Sequence, residues 1–389
     1  MKKSKKLEDF RSAVFAELQR IKDEVRSQGK SIIDLGIGSP DRPPAPHVYH
    51  ALQEAIENLG NYGYPSSKGT GELRETITWW YKKRFNVDLD PESEVLVLMG
   101  SQDGLGHLPL CFLDPGDIAL IPDPGYPVYK AGVALAGGTV YPMPLRKENR
   151  FLPDFDSIPA DIAGRAKMMI LNYPNNPVAA VADLDFFEKV VRFAVKHEIV
   201  VIHDLAYSEL AFDGYRPPSF LQVPGAKNIG VELHSVSKTY NMAGCRLGFI
   251  AGSEEAIEAL ARIKSNIDYG VFLPVQQAGI AALRGPQDII DQNVAIYKAR
   301  RDLLVNGLAE IGWIVDKPKA TMFVWAKLPE GYSSSEIFSE EVLRKTGVVM
   351  VPGVAFGKEG EGYVRIALVQ DASFITEAVR RIKQEFCFE

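Results

Sequence analysis

Short, almost wholly apolar runs alternate with longer amphipathic stretches along most of this chain. The runs fall at 95–99, 118–121, 168–171, 199–202, 231–233 and 247–251. A strand with one wet face alternates apolar and polar positions. Runs without that alternation predict strands buried on both faces, hence a mostly parallel sheet covered by helices. Near the N-terminus Val14, Leu18, Ile21 and Val25 recur at helical spacing among charged residues, which predicts a helix over about 7–28. An irregular Gly/Pro segment follows at 31–46. Beyond 285 the pattern changes to a long charged helix at 286–310, strands near 323–326, 348–351 and 364–368, and helices near 334–346 and 371–385. The reading is an α/β protein with a large domain at 51–285 and a smaller α+β domain formed by 1–50 and 286–389. No internal repeat or low-complexity tract interrupts it.

Composition narrows the class without choosing a chemistry. A chain of 389 residues, 46% hydrophobic, can build a large core or two domains. Its net charge of -6 gives no electrostatic footprint for nucleic acid or anionic lipid. The one basic cluster, Lys2, Lys3, Lys5 and Lys6, reads as a solvated tail. Cys111, Cys245 and Cys387 are odd in number and far apart, which argues against a disulfide framework or a metal cluster and fits a reducing compartment. No run approaches the ~20 apolar residues of a membrane span. No apolar segment follows the N-terminal lysines, so no signal peptide is read there. The expectation is a cytoplasmic protein.

The segment at 235–249 carries the sharpest chemical signal. Lys238 stands among Ser235, Ser237 and Thr239, directly after an apolar run, with Arg246 eight residues on. A lysine with little reason to be solvated can serve as an amine nucleophile toward a carbonyl. Hydroxyls and an arginine suit a phosphate. A lysine needing both an aldehyde and a phosphate nearby points to pyridoxal phosphate (PLP).

Other loops sit where they can serve the same ligand, although each has a plainer reading. Ser101 and Gln102 lie in a turn that ends a strand and opens a helix, which is a phosphate site or only a cap. The rigid Pro/Gly loop at 123–129 presents Tyr126, a stacking ring or a core tyrosine. Asn176 lies in an Asn/Pro loop at the carboxyl edge of the expected sheet. Asp204 ends a buried run, where a carboxylate is costly unless paired, and a protonated pyridine nitrogen is such a partner. Tyr207, three residues on, can reach the phenolic oxygen of the same ring. His203 reads as a packed neighbour. Arg365 interrupts a strand-like run and suits bidentate carboxylate binding, or a salt bridge.

Taken together, the segments at 35–41, 64–65, 123–129, 172–177, 204–207, 235–238 with Arg246, and from Gly353 onward resemble the fold-type I PLP-dependent aminotransferases of class I and II, over essentially the whole chain. The likeness is closest to the LL-diaminopimelate aminotransferase branch. The resemblance implies a large domain with a mostly parallel seven-stranded sheet sandwiched by helices. It implies that Lys238 holds PLP as an internal aldimine, that Asp204 pairs with the pyridine nitrogen, and that Tyr207 and Asn176 bond the phenolic oxygen. Tyr126 would stack on the ring. Ser101, Gln102, Ser235, Ser237 and Arg246 would hold the phosphate, with Tyr64 reaching across from the neighbouring subunit of a homodimer. Arg365 would clamp the α-carboxylate of an amino acid or 2-oxo acid, with Gly38 and Asn176 lining that pocket. Asn266, Asp268 and Tyr269 would face the neighbour's pocket by the same analogy.

The chain departs from that pattern. Val178 and Ala179 replace the common Thr-Gly after Asn176-Pro177. Gln102 stands where a lysine is usual in the diaminopimelate branch, Ala13 where a substrate-contacting tyrosine is, and Cys245 where tryptophan is common. No basic residue stands out for a distal carboxylate. The expected activity is transamination through Lys238 and pyridoxamine phosphate. A PLP-dependent C–S lyase or a non-enzymatic regulatory protein would use the same fold.

Overall fold

The apolar runs become the strands of one central sheet. In chain order β1 is Ile33–Asp34, β2 Val95–Leu98, β3 Ile118–Asp123, β4 Thr139–Pro144, β5 Ala166–Asn172 and β6 Val200–Asp204. There follow β7 Gly230–Ser235, β8 Gly248–Gly252, β9 Phe323–Lys327, β10 Val348–Val349, β11 Val351–Pro352 and β12 Tyr363–Ala367. The computed structural model describes residues 1, 3–4, 7, 10 and 13–388. Lys2, Lys5 and Lys6, and the side chain of Ala13, lie outside the described residues.

Seven strands form the main sheet in the order β2-β8-β7-β6-β5-β3-β4. The pairs from β7 through β4 are parallel, and β8 alone runs antiparallel to both its neighbours. Each face has its own core: Val95 and Val97 of β2 enter one, Leu96 and Leu98 the other. This two-sided burial is why the runs lack polar alternation. The edge strand β4 is the exception. It is half-exposed and carries Pro142 and Pro144, a composition that an edge tolerates and a central strand does not. That explains its absence from the pattern read above.

The run at 348–351 is divided between two sheets. β10 pairs in parallel with β1, while β11 joins the antiparallel order β11-β12-β9. The helix Ala13–Ser27 packs Ile21 and Val25 against Leu343 and Val349, so the N-terminal segment and the C-terminal unit share a core. A larger core joins β9, β10 and β12 to Tyr207, Leu210 and Phe212, from the segment just beyond β6. The two sheets thus meet beside the end of β6. Among the described residues no helix is long and apolar enough to cross a membrane.

Candidate active site

The carboxyl ends of β2, β3, β5, β6 and β7 lie along one edge of the main sheet, where parallel α/β sheets bind ligands. Because β8 is reversed, its amino end reaches the same edge and brings Arg246 there. A cavity of about 670 Å³ opens between this edge and the C-terminal sheet. Gly38, Ser101, Gln102, Tyr126, Asn176, Asp204, Tyr207, Ser235, Ser237, Lys238, Arg246 and Arg365 all line it. Tyr64 does not; it is 87% exposed, its ring 4.8 Å from that of Tyr269.

Lys238 lies in the short helix Val236–Thr239, which Ser235 caps by accepting a hydrogen bond from the Ser237 N–H. Its Nζ donates to the Gly38 carbonyl at 2.6 Å. Burial lowers its pKa from the ordinary lysine value to about 8, helped by Arg365 and Arg246 and opposed by Asp204. A lysine so placed is a workable nucleophile and base near neutrality.

Asp204 closes β6 and is buried. The Tyr129 hydroxyl donates to Oδ2 at 2.8 Å and the Ala206 N–H to Oδ1 at 3.3 Å. Burial still raises its pKa, against the pull of Tyr129. A cation above it would reverse that balance. Next to it, His203 Nδ1 lies 2.8 Å from Glu232 Oε1, and its Nε2 faces the Tyr173 carbonyl, an acceptor, at 3.1 Å, both inside the core. It is a packed neighbour that braces β6 on β7.

Arg365 is buried on β12 with no ion-pair partner among the described residues. Nη1 donates to Asn176 Oδ1 at 2.8 Å and Nη2 to the Gly36 carbonyl at 2.7 Å, while Nε has no partner. Its guanidinium lies over Phe323 and Phe356 at 4.3 and 4.6 Å. Burial lowers its pKa to about 10. A buried guanidinium without a counter-ion is an incomplete site, and a carboxylate completes it.

The polar groups also fit a phosphate with a flat cationic ring. Ser237 Oγ is buried without a hydrogen-bond partner. Gly100, at φ +81°, opens the helix Ser101–Phe112, and a Cβ there would lie 2.5 Å from Arg246 Nη2. Only glycine lets the guanidinium approach this helix N-terminus, so the turn is shaped for an anion. Tyr126 is half-buried at the cavity wall, its hydroxyl 3.4 Å from Gln102 Oε1.

Sequence reasoning missed three contributors. Tyr129 supports Asp204 from 75 positions away. Asn172 accepts the Asn176 N–H at 2.7 Å and donates to the Asp204 carbonyl at 2.7 Å, so it fixes one loop to the next. Lys22, from the helix Ala13–Ser27, lines the cavity and donates to Asp34 Oδ2 at 2.6 Å. Of these, only Asn172 had a local signal, its place in the Asn/Pro loop.

A doubly wound sheet with a nucleophilic lysine, a buried carboxylate and an anion-binding turn at one edge defines an α/β enzyme built around a carbonyl-bearing phosphate cofactor. Residues 30–382 match the family model Aminotransferase class I and II, and the chain belongs to that family of PLP-dependent aminotransferases. It is 50% identical over 384 residues to the LL-diaminopimelate aminotransferase of Moorella thermoacetica, covering 99% of this chain and 98% of that one. The enzyme of the same name from Desulforudis audaxviator is also 50% identical, with 98% and 97% covered. Among solved structures, substrate-bound BacF from Bacillus subtilis is 43% identical with a TM-score of 0.90, covering 92% of this chain and 91% of that one. A probable N-succinyldiaminopimelate aminotransferase from Thermus thermophilus is 39% identical with a TM-score of 0.91, covering 96% and 100%.

Proposed function

We propose that this aminotransferase takes LL-diaminopimelate as its amino donor and works as a homodimer with shared sites. Lys238 would hold the aldehyde carbon of PLP, Asp204 its ring nitrogen, and Tyr207 and Asn176 its phenolic oxygen. Tyr126 would cover the ring. Ser101, Gln102, Ser235, Ser237 and Arg246 would hold the phosphate, with Tyr64 of the neighbouring subunit. When bound, PLP supplies an electron sink that makes an amino acid's α-proton removable. Lys238 Nζ takes that proton as the base, Arg365 fixes the α-carboxylate, and Asn176 orients Arg365. The large unit at 51–285 would carry the cofactor, and 1–50 with 286–389 would close over it.

The observation that carries the donor is the Lys22–Asp34 pair in the same cavity as the unpaired Arg365. Lys22 spends one of its three N–H donors on Asp34. A cation and an anion side by side match an ammonium and a carboxylate side by side. LL-diaminopimelate offers one carboxylate to Arg365 and a whole α-amino-acid end to the pair. The names of the relatives point the same way. Half-reaction spectra of the PLP-loaded enzyme test the reading. LL-diaminopimelate should bleach the cofactor band with a specificity at least about tenfold above glutamate, alanine, methionine or phenylalanine, the scale of one well-made polar contact. Faster bleaching by any of those four, or release of pyruvate, ammonia and a thiol from a cysteine thioether without an oxo-acid acceptor, overturns it.

A further inference from the structure

Lys264 is fully buried, and the chemistry described so far does not use it. It closes the helix Glu254–Lys264, where a cation suits the helix dipole. Its ammonium donates to Asp103 Oδ2 at 2.7 Å and to both oxygens of Asp268 at 2.8 and 2.9 Å, so all three donors are used. Asp103 lies in the first turn of the helix Ser101–Phe112, two residues from Ser101. It accepts the Met99 N–H at 2.9 Å and faces His107 Nδ1 at 2.8 Å. Burial alone would raise the pKa of Asp103, but the bonds to His107 and Lys264 bring it down to about 2. The carboxylate is therefore charged, and it sits beside the turn that would receive a phosphate.

A negative charge in the first turn of a helix ordinarily occupies the positive end that an anionic ligand needs. Unneutralised, Asp103 would repel a phosphate dianion held at the Ser101 turn. Lys264, shared with Asp268, offsets that charge while Asp103 still ties the turn to Met99. The other half of the network reaches the rim. Asp268 Oδ1 accepts the Gly270 N–H at 2.6 Å. Gly270, at φ +88°, lets the chain pass so close to Ser66 that a Cβ would lie 2.5 Å from its carbonyl oxygen. Tyr269 and Tyr64 stand on these two touching segments.

We propose that Lys264 is a positioning residue for cofactor phosphate: it offsets the charge of Asp103 so that the turn at Ser101 accepts a dianion, and through Asp268 it locks that turn to the Tyr64–Tyr269 rim. The proposal rests on the assignment of the Ser101 turn to PLP phosphate. A residue needed only for folding would weaken every ligand alike. Lys264 should instead act on the phosphate alone.

The test compares the affinity of apoenzyme for PLP and for pyridoxal, which lacks the phosphate, by absorbance titration. Wild type should prefer PLP strongly; if it does not, the site assignment itself fails. In K264M that preference should fall about tenfold or more, as expected for an uncompensated charge near a dianion, with pyridoxal affinity little changed. D103N/K264M, neutral at both positions, should recover a preference within about threefold of wild type. Equal weakening of both ligands in K264M, or an unchanged preference, overturns the proposal. Should K264M not fold, D103N/K264M is read directly against wild type, and a tenfold loss of preference there overturns it.

Discussion

Lys238 sits in opposing fields, and its neighbours can be used to read them. Burial, Arg365 and Arg246 favour the neutral amine, and Asp204 favours the ammonium. In apoenzyme the Lys238 amine should titrate near pH 8, followed by NMR of reductively 13C-methylated lysines. R365M removes a cation and should move the midpoint up. D204N removes an anion and should move it down. A midpoint near the ordinary lysine value of about 10.4 in apoenzyme would show that the amine is solvated after all. The cluster of Lys238 with small hydroxyl residues and Arg246 was legible because all of it lies within a dozen positions. Lys264 was not legible, because its partner Asp103 is 161 positions away and a buried lysine looks like any other helix lysine in a sequence.

At the scale of elements, the loop after β5 holds the Val178–Ala179 pair in a strained backbone. Ala179 adopts φ +56°. The Asn175 side chain holds that conformation, accepting the Val178 N–H at 3.0 Å, and the Ala179 N–H reaches the Asn175 carbonyl at 3.1 Å. A Cβ in the left-handed region costs roughly 1–2 kcal/mol. A179G should therefore stabilise the protein by about 0.5–1 kcal/mol, the steric relief being partly offset by the freer unfolded chain. Denaturant titration with fixed slope measures it, and a destabilised variant would mean that the methyl packs more than it strains. The buried strands were legible because two-sided burial writes uniform apolar runs. β4 was not, since an exposed edge with two prolines writes nothing of the kind. The division of 348–351 between β10 and β11 was hidden as well: one apolar run serves two sheets, and only pairing partners distant in sequence distinguish them.

The whole molecule leaves apolar side chains exposed on the segments that carry Tyr64 and Tyr269. Leu59 is 84% exposed and Tyr64 87%, with Tyr62, Ile267 and Tyr269 also exposed. A second copy of the chain would bury such side chains. If sites are shared, K238A and Y64A dimers should each be impaired, for want of a base and of a phosphate contact respectively. Mixing them under subunit exchange should restore about a quarter of wild-type turnover, because half the dimers are hybrids and each hybrid has one intact site. No recovery, with exchange confirmed by mass, would place Tyr64 in the site of its own subunit.

The reversed strand β8 also bears on how this protein can change. The chain leaves β7, passes Lys238, turns back through Arg246 and re-enters the sheet at Gly248. The covalent anchor and the phosphate grip thus ride on one short excursion, tethered at both ends. Insertions and deletions, tolerated elsewhere between elements, would here move one grip relative to the other. In the descent of this protein the segment 235–248 is expected to keep its length while the residues facing the substrate drift, so that new donors are acquired around a fixed reaction.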